Sequence, residues 1–149
     1  MADRAHKPFS RTHWCHRLED LTLACIQSVA AEQEERIREM RELLARAPES
    51  ELLSGLVLPD AASLEARLDA RCWESAALDM LDAGSAYLLS RGAHGRHLAS
   101  VILPGQDEDI PSPGNTLALA LIGAMAQALS QGAPMALADR DPKPSRHLH

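Results

Sequence analysis

The stretch "THWCH" at residues 12–16 places two histidines and a cysteine within five positions, donor types that hold transition metals or haem. Spacing decides whether they can act together. On a helix, Trp14, Leu18, Leu21 and Cys25 gather on one side with Cys15 on its shoulder, while His13 and His16 point to the opposite, polar face near Asp20. The donors diverge, and a tetrahedral zinc site needs convergent ligands. Haem attachment needs the C-x-x-C-H order, which is absent. What remains is a surface trio, His13, His16 and Asp20, able to hold a metal only with ligands from elsewhere. No cofactor or metal is expected, and Cys15 and Cys25 read as small core hydrophobes.

The other chemistry-bearing groups are as bland. His94 and His97 flank a turn, where solvated or cross-strand roles are commoner than catalysis. The chain has no G-x-S-x-G elbow, and "RGAHGRH" lacks both the spacing and the following helix of a phosphate loop. Asp107, Glu108 and Asp109 lack the pattern of an EF-hand and read as a solvated acidic loop, suited to a basic partner. No catalytic residue is assigned.

The elements that would carry these residues follow from periodicity. Thr12 is a plausible N-cap for a first helix running to about Arg46, where "APES" breaks it. Its charged middle, "AEQEERIRE", pairs Glu32 with Arg36, Glu34 with Arg38 and Arg38 with Glu42 at four-residue spacing. Unbroken, this helix would be about 50 Å long, so it either breaks near Ala30–Gln33 or projects towards a partner; the continuous helix is the expectation. Asp60 caps a second helix reaching about Asp82, with Gly84 as its stop. "SAYLLSR" and "RHLASVIL" then form a β-hairpin around "GAHG". A lone hairpin is marginal, so it must pack on helices or be completed by another chain, and an exposed edge would serve as a docking rail for an extended peptide. "PGQDEDIPSPGN" is a loop into a third helix, 116–131, capped near Asn115 or Thr116 and ended by Gly132.

That third helix is apolar almost all round and rich in small residues, so it is either the central core helix or a close-packed dimer seam. The expected organisation is a loose N-terminus (1–11), one α+β domain (12–132) and a flexible tail (133–149). Within the domain, three main helices dominate, with one antiparallel hairpin between the second and third.

Totals bound the function. The 149 residues fit one domain; 46% are hydrophobic and 24% charged, but only two Trp, one Tyr and one Phe are present, so the core must be aliphatic. The net charge of −6 argues against a general nucleic-acid binder, and acid concentrates at Asp60, Glu65, Asp69, Glu74, Asp79 and Asp82. Three cysteines without framework spacing and an N-terminus without an apolar core make a reducing, cytoplasmic setting the expectation. The most apolar run, Thr116 to Ala126, is shorter than the ~20 residues of a membrane span.

The segment "HLASVILPGQDEDIPSPGNTLALALIGAMAQALSQGAP", and more weakly "THWCHRLEDLTL", gives the chain a pattern that resembles the small acidic chaperone-adaptors of bacterial secretion systems, the type IVB adaptors above all. "AYLLSR…RHLASVILP" followed by a helix is also similar to part of the roadblock-type regulatory fold. The first resemblance implies a helix–sheet protein that pairs with another subunit and holds effector segments; it assigns no residue a role.

The expectation is therefore a non-enzymatic protein-binding adaptor or chaperone-like module, a homo- or heterodimer with no nucleic acid and no membrane. Its assembly surface would be Trp73, Ala77 and Met80 of the second helix with Leu117, Leu121, Gly123, Ala124, Met125 and Leu129 of the third. The hairpin edge or Asp107–Asp109 would capture the client. The competing class is a metal protein or small enzyme using His13, His16, Asp20, His94 and His97. A third is a DNA-associated regulator using Arg4, Lys7, Arg11 and Arg17.

Overall fold

The apolar stripe expected near the N-terminus runs through Trp14, Leu18, Leu21, Cys25 and Val29; the first four face the core from helix α1 (Arg11–Gln27), whereas Val29 lies beyond that helix and is exposed. The computed structural model describes residues 7–140, with side chains to residue 132. The cap is Ser10 rather than Thr12: its side chain accepts a hydrogen bond from the His13 amide. Of the N-terminus expected to be loose, residues 7–11 are described and make defined contacts. The Phe9 amide donates to Arg46 O at 2.9 Å, and the Arg46 guanidinium lies 3.9 Å above the Phe9 ring.

The first helix does not run to Arg46. Ser28 leaves the helix in an extended conformation, a 3₁₀ turn (Ala30–Glu32) follows, and α2 (Gln33–Ala45) folds back. Glu32 accepts from the Val29 amide at 2.9 Å, so it serves the turn instead of pairing with Arg36. The break lets Ile37, Met40, Leu43 and Leu44 join Trp14 and Leu18 in one core, and Trp14 Nε1 donates to Leu43 O at 2.8 Å across the pair. A single long rod would have left one of the two stripes in water.

The second predicted helix is also two. Asp60 caps α3 (Ala61–Asp69) as expected, accepting from the Ser63 amide. At Arg71 the backbone turns left-handed, φ 63°, with the Cys72 amide on Arg67 O and the Arg71 amide on Leu68 O. That is a Schellman ending built without glycine. Then α4 (Trp73–Leu78) begins.

Strands β1 (Ala86–Arg91) and β2 (His97–Ile102) form the predicted hairpin, with Tyr87 opposite Val101, Leu88 opposite Ser100 and Leu89 opposite Ala99. The loop expected between the hairpin and the last helix contains a third strand, β3 (Ser112–Gly114), antiparallel to β2 with Ala99 opposite Ser112. The sheet order is β1-β2-β3.

Helix α5 (Leu117–Arg140) starts at Thr116, whose hydroxyl accepts from the Leu119 amide, and it continues past Gly132. An isolated glycine costs a helix only ~1 kcal/mol relative to alanine, so Gly132 does not end it. The expected tail is thus helical to Arg140, and 141–149 lie outside the described residues. From Ala118 to Ala126 every α5 residue is buried. The helix packs against α1, α2, α4, β2 and β3, which makes it the axis of the fold. The fold is α+β with helices dominant. Among the described residues no helix is long and apolar enough to cross a membrane.

Candidate protein-binding edge

The small residues of α5 serve a contact inside the chain. A Cβ on Gly114 of β3 would sit 2.5 Å from Ala120 N, and one on Gly123 would sit 2.9 Å from Ser112 Oγ and 3.2 Å from Cys25 Cβ. Strand β3 therefore lies directly on the α5 backbone, with α1 behind. This corrects the expected assembly surface. Ala77, Met80, Leu121, Ala124, Met125 and Leu129 are buried in the core, as is Gly123, and Leu117 is half-buried. Trp73 is half-buried too and spends its indole N–H on Glu34 of α2 at 3.0 Å. An all-round apolar helix reads alike whether its own chain or a second chain covers it; here its own chain does.

Ser112 and Gly114 face α5, so Ala99 and Val101, and beyond them Tyr87 and Leu89, lie on the same face of the sheet. Ala99 and Val101 are covered by the helix. Tyr87 and Leu89 are not: α5 runs beneath β2 and β3, and β1 overhangs it. Leu88 projects from the other face. The outcome is a strand with all six residues exposed, Leu88 at 61%, Tyr87 at 45% and Leu89 at 37%. It is also terminal in the sheet, so one row of its backbone N–H and C=O groups has no strand beside it among the described residues.

Both ends of this strand are held. Before it, the Ser85 hydroxyl donates to Gly55 O at 2.7 Å and the Asp82 amide donates to the same carbonyl at 3.0 Å. After it, the Gly92 amide closes the turn on Arg96 O at 2.7 Å, and Arg96 Nη2 donates to Ile26 O at 3.0 Å, at the end of α1. Asn115 Nδ2 reaches Ser28 O at 2.7 Å from the far side of the sheet. The open edge is thus presented on a fixed frame. Its chemistry is hydrogen bonding to an extended backbone, with apolar side chains on either side.

The other candidates are placed as follows. His13, His16 and Asp20 are exposed; the His13 ring lies tilted against Phe9, centroids 4.7 Å apart, and among the described residues no three His, Cys, Asp or Glu side chains come together in a group that could hold a metal. His94 is exposed in the turn with φ 64°, and His97 is half-buried on β2. Asp107, Glu108 and Asp109 are exposed; Asp107 and Glu108 lie on an open cleft of about 450 Å³ that Gln106, Ile110 and Gln131 also line. The loop is tied to α5 by Gln106 on Ala128 O and by Gln127 on Ile110 O. Within α2, Arg36 pairs with Glu39 at 3.0 Å, and burial nonetheless raises the Glu39 carboxyl above its ordinary range. Burial also pushes the Cys25 thiol up to about 12, with Arg36 opposing it weakly. Neither group lines the open edge.

Sequence reasoning had the hairpin and named its edge, but the exposure of Leu88 and Tyr87 depended on where α5 would lie. The absence of any charge or proline in "AYLLS" was the readable signal. Comparison of the chain with protein-family models, with curated proteins and with solved structures returned no match.

Proposed function

We propose that this chain is a non-enzymatic protein-binding module of the adaptor or chaperone-like kind, and that β1 is its docking element. The observation that carries the reading is the exposure of all six β1 residues on an open sheet edge, Leu88 most of all. A partner segment laid antiparallel or parallel to β1 gains main-chain hydrogen bonds from the edge and side-chain burial on both faces. The likeness to small acidic secretion adaptors points the same way, since holding extended segments and pairing with another subunit is the work of that class. The acidic loop 107–109 adds a preference for basic residues flanking the segment. The reading places this work in a reducing cytoplasm, with Cys15, Cys25 and Cys72 as free thiols.

The test is site-specific photo-crosslinking from position 88, with position 23 as the control. Leu23 is an equally exposed leucine, on α1. The reading expects strong crosslinks from 88, mapping onto an extended segment of a polypeptide, and weak ones from 23. Equal yields at the two positions, or none at 88, would sink it.

A further inference from the structure

Resting on the reading of β1 as a docking element, we infer that its occupant is a second copy of this chain, joined edge to edge into a continuous six-stranded sheet. Three observations select a copy over a foreign peptide. The first is that β1 is little protected against edge pairing: Ala86 to Ser90 contain no charge and no proline, its one charge is Arg91 at its last position, and every residue has a regular partner on β2. An edge so unprotected needs a constant cover, and the partner always present with a chain is another copy of it. The second is that the copy brings an edge already ordered and held at both ends by Gly55 and Arg96, so pairing does not pay for ordering a flexible peptide.

The third is self-complementarity. A two-fold axis normal to the sheet keeps each face on its own side, so residues opposite one another must share a face. That restricts the dyad to a residue position. Centred on Leu88, it sets Leu88 against the partner's Leu88 on the outer face, and Tyr87 against the partner's Leu89, twice, on the helix face. Ala86 meets the partner's Ser90, and Arg91 meets the partner's Ser85. Apolar side chains face apolar ones, and the two Arg91 side chains end at opposite extremities of the ribbon, so no like charges oppose each other. Centred on Leu89 instead, the dyad would face Tyr87 with arginine and run Ala86 onto Gly92, in the turn.

The interface is small, so association is of the weak, concentration-dependent class. Because it is apolar and each molecule carries a net charge of −6, added salt leaves it unchanged or tightens it.

Sedimentation velocity over a wide concentration range, on the full chain, gives the dissociation constant. The wild type is expected to form a dimer. Leu88→Lys and Leu88→Glu each place like charges face to face on the dyad and are expected to weaken it about tenfold. An equimolar mixture of the two variants brings opposite charges together there and is expected to associate more tightly than either variant alone. Circular dichroism unchanged from wild type establishes that both variants fold. A wild type that stays monomeric at every concentration, a dimer that ignores both substitutions, or a mixture no tighter than its components would overturn the inference. If the wild type is monomeric and position 88 still crosslinks to an extended segment of another protein, the second copy falls and the docking reading stands. A monomer without crosslinks from 88 ends both.

Discussion

Arg96 lies seventy residues from the helix end it serves. Its guanidinium donates to Ile26 O at 3.0 Å, a positive charge at the negative end of the α1 dipole, and it ties the hairpin turn to the first helix. Arg96→Ala is expected to cost about 1–2 kcal/mol in urea unfolding, with the denaturant slope unchanged, since a charge-assisted bond to a terminal carbonyl is lost and little surface changes. Cys25 makes a different statement. Burial holds the folded thiol up to about 12, against an ordinary 9.0. The stability this contributes is complete below pH 9 and is lost as pH rises from there towards 12, because the unfolded chain ionises first. At pH 8 the expectation is that iodoacetamide labels Cys15 and Cys72, both half-buried, and spares Cys25 until urea opens the fold. Rapid labelling of Cys25 in the native protein, read by mass spectrometry, would contradict that burial.

Between elements, the decisive feature is how closely β3 approaches α5. A methyl on Gly114 would meet the backbone of Ala120 at 2.5 Å, whereas one on Gly123 would meet first the Ser112 hydroxyl, a side chain able to turn aside. Gly114→Ala is therefore expected to destabilise by about 1–3 kcal/mol, and Gly123→Ala by less, in thermal unfolding. Equal losses would mean that the strand can slide on the helix. The junction of α3 and α4 gives the opposite sign. Arg71 sits exposed at φ 63°, where a Cβ is strained and glycine is not. Arg71→Gly is expected to raise stability by about 0.5–1 kcal/mol, because relief of strain exceeds the added freedom of the unfolded chain.

At the level of the whole molecule, assembly and folding are separable. Leu88 is mostly in water in the lone chain, so Leu88→Lys is expected to change the stability of the dilute monomer by no more than about 0.5 kcal/mol, while it weakens the proposed edge pairing about tenfold. A large fall in the melting temperature of the dilute variant would show that Leu88 is structural. The exposed Arg38–Glu65 pair, 2.9 Å apart between α2 and α3, adds only a weak acid sensitivity. The guanidinium lowers the Glu65 carboxyl below its usual range, so its contribution is present above the ordinary carboxylate value and fades as pH falls through the folded one.

The sequence alone determined which residues turn inwards along the first helix, that Asp60 opens a helix, that a hairpin spans 86–102, and that helices dominate. Each of these rests on a local period or cap, and local rules need no knowledge of what lies opposite. Tertiary structure decided the rest. The first helix broke at Ser28 because two apolar stripes on one straight rod could not both reach the same core. The second broke at Arg71 without a glycine to announce it, and "SPG" became a strand because β2 and α5 had room for it. The apolar α5 could have lain in a dimer seam or at the centre of one chain, since its pattern is identical in both. Only the packing of the other elements around it put its small residues to internal use and left β1, which it does not cover, as an edge facing outwards.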